Sequence, residues 1–295
     1  MKNIIVITGG AGFVGTNLIS FLLKNTKYKI LSIDNYSSGL KINHIKNKKV
    51  KYIKGNTKNI STLLNSKKNK INAIFHFGEF SRIYQSFLKM GECIDSNTVG
   101  SHAVFNFCLN NKIKLIYSAT SASLGNKGRD KDLSPYAFTK SINLELLENL
   151  KKWFKMKYEI IYFYNVYGPK QISIGNMATV IGIFENAYKN KKPLPVVRPG
   201  TQSRKFTHIS DTVKVCYDAW KKNKCRHYSI SSKKDYSILE VAKLFGSKIK
   251  LLPARDGERY ASALTNMNLS NKVYKNFGRI SLKTYIEKFK NRHKR

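Results

Sequence analysis

The sequence predicts a doubly wound parallel α/β sheet with a smaller C-terminal α/β lobe. From residue 1 to about residue 165, short continuous apolar runs alternate with helical stretches. Such runs are typical of parallel strands that are buried on both faces of a sheet. A glycine-rich turn directly follows the first run, and the alternation loosens after residue 165, where five of the six prolines occur.

The elements of the sheet can be assigned in chain order. The first apolar run, residues 4–7, predicts a buried strand, and the glycine-rich turn opens a helix over residues 13–23. Five further runs predict the remaining strands, at residues 30–33, 50–53, 71–77, 115–117 and 160–163.

The domain division follows from the same pattern. Residues 1–165 and about 204–232 are assigned to the sheet domain, and about 166–203 and 233–295 to the second lobe. The basic tail, residues 288–295, is expected to fray.

The composition excludes several classes of protein. The 295 residues carry 54 basic and 17 acidic side chains, a net charge of +37, which suggests a nucleic-acid partner. Only ten of the basic residues are Arg, however, and Lys is interspersed with Asn and Ile, as an A+T-rich coding sequence would produce. With 42% apolar and 12% aromatic residues, the chain predicts a packed domain without a specific nucleic-acid partner.

The sequence also argues against a membrane-spanning protein and against a metal-binding protein. No apolar run reaches membrane-spanning length and no signal-peptide pattern precedes the first strand. The four Cys and six His show no metal-ligand spacing, so we expect a cytoplasmic protein with reduced thiols and no metal.

The glycine-rich turn predicts a dinucleotide site. Gly9 permits a tight turn, Gly12 lets the backbone approach a pyrophosphate, and Gly15 permits close packing of helix on strand. The helix N-terminus that starts at Phe13 and Val14 favours negative charge. Because the glycines join a strand to a helix, the context is the one that a Rossmann fold requires.

Asp34 ends the second predicted strand and selects the cofactor. A carboxylate there accepts hydrogen bonds from an adenosine ribose and repels a 2′-phosphate, so NAD is favoured over NADP. The following loop supplies further candidate cofactor contacts at Asn35, Ser37, Ser38 and Gly39.

Tyr136 and Lys140 predict an acid–base pair. Ser134 and Pro135 are typical of a helix start, and residues four apart share one helix face. The pKa of a free tyrosine is about 10. A neighbouring ammonium stabilises the phenolate, which makes Tyr136 a candidate base.

These motifs together resemble the extended short-chain dehydrogenase/reductases of the NAD-dependent epimerase/dehydratase type, and most of all the UDP-glucose 4-epimerases. The resemblance rests on TGGAGFVG, the Asp34-Asn35 pair, SPYAFTK and YFYNVYGP, and it extends over nearly the whole chain. It implies a Rossmann domain with a C-terminal substrate-binding lobe and NAD as cofactor.

The resemblance also implies a third catalytic residue, Thr120, whose hydroxyl would bind the reacting sugar oxygen; Ser118 and Ser121 are the alternatives. Related dehydratases carry an Asp-Glu pair after this Thr, and decarboxylating relatives carry a Glu. Here Ser121 and Ala122 follow, so dehydration and decarboxylation are disfavoured.

Further positions are assigned by resemblance alone. Those expected at the cofactor are Asn56, Thr57, Phe77, Gly78, Asn97, Ser118 and Tyr164, together with Tyr136 and Lys140. Those expected at the substrate are Ser81, Asn165, Asn176, Met177, Arg204 and Arg255, together with Thr120 and Tyr136. Leu124 replaces an aromatic residue of the family, and Glu79 replaces a small one, which places a charge near the nicotinamide or a sugar hydroxyl.

The expected activity is 4-epimerisation of UDP-glucose and UDP-galactose, or of their N-acetyl forms, through a 4-keto intermediate. The alternatives are an ADP-heptose 6-epimerase-like activity, a nucleotide-sugar reductase and, more distantly, a nucleic-acid-binding protein on the same fold. The resemblance further implies a homodimer formed through helices at about residues 84–110 and 135–156.

Overall fold

The computed structural model describes residues 2–123, 131–254 and 273–293. Its central feature is an eight-stranded sheet in which every neighbouring pair is parallel. The described strands are β1 (Ile4–Thr8), β2 (Lys29–Asp34), β3 (Val50–Lys54), β4 (Ile71–His76), β5 (Lys114–Thr120), β6 (Tyr158–Phe163), β7 (Val166–Tyr167), β8 (Leu194–Val197), β9 (Ser203–Lys205), β10 (Thr207–His208), β11 (His227–Ser231), β12 (Asp235–Ser237), β13 (Ile249–Leu252) and β14 (Val273–Phe277). The order across the main sheet is β14-β11-β6-β5-β4-β1-β2-β3.

Helices cover both faces of this sheet. The described helices are α1 (Phe13–Asn25), α2 (Ile60–Leu64), α3 (Ile83–Leu88), α4 (Met90–Ile94), α5 (Ser101–Asn110), α6 (Pro135–Phe154), α7 (Val180–Lys189), α8 (Ile209–Lys221), α9 (Ile238–Phe245) and α10 (Leu282–His293). Apolar residues of α2, α5 and α6 pack on one face and those of α1 and α8 on the other. The predicted doubly wound fold is therefore confirmed.

The strands owe their position to continuous apolar sequence. In β1, Ile5 and Ile7 belong to the layer under α1 and α8, while Val6 belongs to the opposite layer. Because successive side chains point to opposite faces, a strand with apolar residues at every position buries both.

Two helical predictions differ from the structure. The stretch expected as one helix over residues 84–110 is interrupted at Lys89, with φ −130°, and by a π-helical turn over Asp95–Gly100. The basic tail does not fray up to His293, because Ile286 and Phe289 of α10 are buried against the second lobe.

The second lobe has its own apolar core. It joins α7, α9 and α10 to the short strand β8, which pairs with β13. The strand β14 lies at the edge of the main sheet, beside β11, although the sequence division assigns residues 233–295 to the second lobe.

Candidate active site

A cavity of about 550 Å³ lies where the carboxyl ends of β1, β2, β4, β5 and β6 meet the second lobe. Ligands of open parallel sheets bind at this end of the strands. The cofactor half of the cavity is formed by the turns after β1, β2 and β3, and the substrate half by side chains of the second lobe.

The glycine-rich turn is built by close backbone contacts. Gly9 has φ +69°, and a Cβ at this position would lie 2.9 Å from the backbone of Phe77 and Gly78. A Cβ at Gly15 would lie 2.2 Å from the carbonyl oxygen of Gly9. The turn therefore requires small residues here, including Gly78, where a Cβ would lie 2.9 Å from the Gly9 nitrogen.

The N-terminus of α1 faces the cavity without a side-chain cap. Gly12 is the N-cap residue, and a Cβ there would meet only the Gly9 carbonyl, at 3.2 Å. Gly12, Phe13, Val14 and Gly15 all line the cavity. The uncapped backbone N–H groups and the helix dipole fit a pyrophosphate.

Asp34 lines the adenosine end of the same cavity. Its Oδ2 accepts a hydrogen bond from the Ala11 N–H at 2.9 Å, and its Oδ1 accepts one from Tyr36 at 2.8 Å. Burial raises the pKa of this carboxyl, and the backbone hydrogen bonds oppose that rise. The other predicted residues that line this end are Asn35, Ser37, Ser38, Asn56 and Thr57. Gly39 lies behind the carboxylate instead, where a Cβ would come within 2.7 Å of it.

Tyr136 and Lys140 lie in the middle of the cavity on the first turns of α6. The helix begins as the sequence predicts, with the Ser134 hydroxyl accepting from the Ala137 N–H at 3.1 Å and Pro135 in the first turn. The Tyr136 N–H donates to Ser86 Oγ at 3.2 Å, which fixes α6 against α3. Both site residues line the cavity.

Thr120, at the end of β5, lines the cavity on the same side. Its hydroxyl oxygen accepts from the Ala122 N–H at 3.2 Å, and its proton remains available to a ligand. The Ser118 hydroxyl donates to the His76 carbonyl at 2.9 Å, so it is already engaged. Ser121 also lines the cavity, whereas Leu124 lies outside the described residues.

Several predicted positions lie elsewhere. Tyr164 is 1% exposed and packs in the core, whereas Phe163, the last residue of β6, lines the cavity. Asn97 is buried behind the cavity wall, where its side chain pairs with both the N–H and the carbonyl of Phe80. Asn97 therefore supports the wall and does not line it.

The predicted substrate residues are only partly brought together. Ser81, Asn165 and Arg204 line the cavity. Asn176 is exposed outside it, and the Met177 carbonyl accepts hydrogen bonds from Arg82. Arg255 lies outside the described residues.

The substrate half contains residues that the sequence did not single out. Arg82 lines the cavity after β4, and its Nε donates to the Met177 carbonyl at 3.0 Å, which ties the loop before α7 to the cavity wall. The other unpredicted lining residues of the second lobe include Thr179, Pro195, Gln202, Phe206, Ile238 and Leu252. They come from separate loops, and no local spacing marks them.

Glu79 forms an ion pair inside the site. Its side chain is 2% exposed and its carboxylate forms an ion pair with Lys140. Lys140 also donates to the Ser118 carbonyl at 2.5 Å. Glu79 is one of the residues that line the cavity, and its carboxylate lies beside Lys140 of the acid–base pair.

The part of the chain that the structure describes contains no group of three His, Cys, Asp or Glu residues arranged to hold a metal ion. None of its helices is both long and apolar enough to cross a bilayer.

A parallel sheet whose first turn can hold a pyrophosphate, with a Tyr-Lys pair at the same cavity, defines a dinucleotide-binding protein of the short-chain dehydrogenase/reductase class. Within that class the chain belongs to the NAD dependent epimerase/dehydratase family, whose model matches residues 5–231. The cofactor of this family is NAD, and the open N-terminus of α1 beside Asp34 fits it.

Three relatives illustrate the range of the family. A dTDP-D-glucose 4,6-dehydratase of Dictyostelium discoideum is 28% identical over 266 residues, which are 81% of this chain but only 60% of that protein. An uncharacterized UDP-glucose epimerase, YtcB, of Bacillus subtilis is 29% identical over 229 residues, 71% of this chain and 70% of the relative. The solved UDP-N-acetylglucosamine 4-epimerase of Methanobrevibacter ruminantium M1, in complex with UDP-N-acetylmuramic acid, has a TM-score of 0.79 and 25% identity, with 89% of each chain covered.

Proposed function

We propose that the protein is a nucleotide-sugar epimerase that interconverts UDP-glucose and UDP-galactose, or their N-acetyl forms, at C4. The observation that carries this proposal is the convergence of Thr120, Tyr136 and Lys140 on one cavity that also contains a dinucleotide site. A hydroxyl donor, a phenol and an ammonium are the groups that oxidation of a secondary alcohol needs around its oxygen.

Each residue has a separate task in the proposed reaction. Thr120 orients the sugar O4 with its hydroxyl, and Tyr136 takes the O4 proton and later returns it to the same oxygen. NAD, when bound, supplies a reversible hydride acceptor for C4. Because the proton and the hydride both return to the sugar, epimerisation consumes no reductant.

Dehydration is disfavoured even though a relative is named as a dehydratase. Loss of water from the sugar requires an acid and a base beyond the tyrosine. The two residues that follow Thr120 are Ser121 and Ala122, and neither side chain can carry a proton at neutral pH.

A second candidate substrate is a UDP-hexuronic acid, and Arg82 favours it. The Arg82 guanidinium lines the reaction end of the cavity, and its assigned hydrogen bonds go to the carbonyls of Ser81 and Met177. Among the described residues it forms no ion pair with a carboxylate. A partly buried guanidinium is stabilised by a bidentate carboxylate, such as the one at C6 of a hexuronic acid.

A panel of nucleotide sugars tests both substrates. Each of UDP-glucose, UDP-galactose, their N-acetyl forms and UDP-glucuronic acid is incubated with the NAD-loaded protein, and the products are identified by nuclear magnetic resonance. We expect C4 epimers without net NADH formation. If UDP-glucuronic acid is the preferred substrate, Arg82→Gln should raise its KM about tenfold or more and change the KM of UDP-glucose less.

The same assay, extended to an ADP-heptose and to reactions with added NADH, decides the alternatives. Conversion of an ADP-heptose at C6 with no UDP-sugar turnover would identify a heptose epimerase. Stoichiometric consumption of NADH would identify a reductase. Either result contradicts the proposal.

We also propose that two copies pair through α3, α4 and α6, which pack side by side. This face exposes large apolar side chains, and an exposed apolar patch of this kind marks an interface. The exposed apolar side chains of this face are those of Phe87, Leu88, Met90, Ile94, Phe138 and Ile142. Light scattering should report a dimer that Leu88→Asp with Phe138→Asp converts to a monomer. Ile42→Asp, at a residue that is 87% exposed elsewhere, is the control and should remain dimeric.

A further inference from the structure

The carboxylate of Glu79 is enclosed by hydrogen-bond donors beneath the candidate base. Its Oε2 accepts from the Lys140 ammonium. Its Oε1 accepts from the hydroxyls of Ser101 at 2.6 Å and Tyr117 at 3.0 Å and from the Asn143 amide at 3.2 Å. Two of the four donors belong to α6, so Glu79 connects the segment after β4 to the helix that carries Lys140.

A series of hydrogen bonds leads from Thr8 through His76 and Ser101 to Glu79, and each group donates its proton to the next. The Thr8 hydroxyl accepts two backbone N–H groups at 3.1 Å, so its own proton goes to His76 Nδ1 at 2.7 Å. Burial lowers the pKa of His76 to about 4, so the ring is neutral and carries its proton on Nε2. That N–H donates to Ser101 at 2.9 Å, and the Ser101 proton goes to Glu79. Every bond in this series is satisfied when Glu79 is a carboxylate.

The Lys140 ammonium is fixed from two sides by this arrangement. Besides Glu79, it donates to the Ser118 carbonyl at 2.5 Å and lies 4.6 Å from the centre of the Tyr117 ring. Its side chain is 4% exposed, so water does not compete for these contacts. A paired ammonium stabilises a nearby phenolate less than an unpaired one, because the carboxylate acts on the phenolate with the opposite sign.

Among the described residues, the neighbours of the pair on the side of Glu79 are uncharged. His76 Nε2 is 4.0 Å from Glu79 and is neutral. Burial raises the pKa of Tyr117 and of Cys93, so both stay protonated at neutral pH. On the side of Tyr136, Arg82 is the further cation that faces the phenol, and it is present in every variant used below.

We infer that Glu79 is a positioning residue, which holds the Lys140 ammonium in place and offsets its charge where Tyr136 must become a base. This inference rests on the proposed function, because it takes Tyr136 as the group that accepts the sugar proton. As a consequence, the acidic limb of the profile of kcat against pH lies at a higher pH than it would if Lys140 were unpaired.

The test compares Glu79→Gln with the parent protein loaded with NAD. Glutamine keeps the size and one acceptor oxygen but removes the charge. The acidic limb of kcat against pH should move down by about one pH unit, and the KM of the nucleotide sugar should change less than twofold. A limb that stays in place or moves up overturns the inference.

Two further variants separate charge from packing. Ser101→Ala removes one hydrogen bond from the carboxylate without removing its charge, so the limb should stay where it is in the parent. A limb that moves as far in Ser101→Ala as in Glu79→Gln would assign the effect to packing and overturn the inference. If Glu79→Gln does not fold, Glu79→Ala, which leaves space for water to hydrate the ammonium, carries the same expectation.

A direct titration keeps this test independent of turnover. The absorbance of tyrosinate is followed against pH in the parent and in Glu79→Gln, and each curve is corrected with the matching Tyr136→Phe variant. The ionisation of Tyr136 should occur about one pH unit lower without the carboxylate. If no nucleotide sugar is converted, the proposed function fails, and this titration still decides whether Glu79 offsets Lys140.

Discussion

The two halves of the cavity are built in different ways. In the cofactor half, the chain backbone forms the surface: Gly9 and Gly15 exclude a Cβ, and α1 presents its own uncapped N–H groups. In the substrate half, side chains from separate loops form the surface, among them Arg82, Gln202 and Arg204. Backbone recognition requires only a short local motif, whereas side-chain recognition requires the whole fold.

The largest expected effect is at Tyr136, where the two halves meet. Tyr136→Phe keeps the ring and its packing but removes the proton acceptor, so turnover should fall about 10³-fold. NAD binding, followed by fluorescence titration, should change less than threefold, because the cofactor half is intact. Unchanged turnover would assign the base to another residue.

The next effect concerns the buried His76 under the cofactor half. Its folded-state pKa of about 4 lies below the ordinary value of 6.5. Between pH 6.5 and 4 the His76 side chain is therefore protonated in the unfolded chain but neutral in the folded protein. The folded protein loses stability as the pH falls through this range. The free energy of unfolding should decrease by about 3 kcal/mol over this range from this group.

Urea unfolding of the parent and of His76→Gln at several pH values measures that contribution. The variant cannot titrate at this position, so the difference between the two proteins should shrink as the pH falls. Curves that stay parallel from pH 6.5 to 4 would mean that His76 is not buried in its neutral form.

A smaller effect is expected at the glycine-rich turn, where Gly15→Ala can be compared with a second Gly→Ala variant. Gly15→Ala places a Cβ 2.2 Å from a backbone oxygen, which should destabilise the fold by about 2 kcal/mol and weaken NAD binding. Gly91→Ala in α4 is the matched control, because a Cβ there meets no atom within 4 Å. The control should be neutral or stabilising by up to about 1 kcal/mol. Equal losses in both variants would mean that the close approach of the Gly9 carbonyl does not determine the cost at Gly15.

The smallest expected effect comes from a variant that changes the substrate half alone. Arg204→Gln removes a cation that lines this end, so the KM of the nucleotide sugar should rise about tenfold. NAD affinity should not change, since Arg204 lies on β9, which pairs with β12 and is not one of the strands whose turns form the cofactor half. A loss of NAD affinity with an unchanged KM would reverse the assignment of the two halves.

The same contrast explains which features the sequence could predict. The glycines, Asp34 and the Tyr136–Lys140 pair lie within short segments whose spacing has a direct geometric meaning, and the structure brings them to one cavity. Tyr164, which is expected at the cofactor by resemblance, is buried in the core just after the end of β6, and the side on which a residue beyond the strand end lies depends on packing that no local motif specifies. The adjacent Phe163 lines the cavity in its place.

The environment of Glu79 could not be predicted for a related reason. The sequence marks it as a charge in place of a small residue, but the direction of its side chain depends on Ser101 of α5 and Asn143 of α6. These partners are 22 and 64 residues away along the chain. Long-range packing of this kind also determines the position of Arg82 against the Met177 carbonyl.

One measurement tests the central proposal most directly. UDP-galactose is incubated with the protein and a catalytic amount of NAD, and the sugar is followed by nuclear magnetic resonance while NADH absorbance is recorded. We predict conversion to UDP-glucose with no accumulation of NADH, because hydride and proton both return to the sugar. A product lighter by one water, NADH formed in proportion to sugar, or no conversion of either UDP-galactose or its N-acetyl form by protein that binds NAD would contradict the proposal.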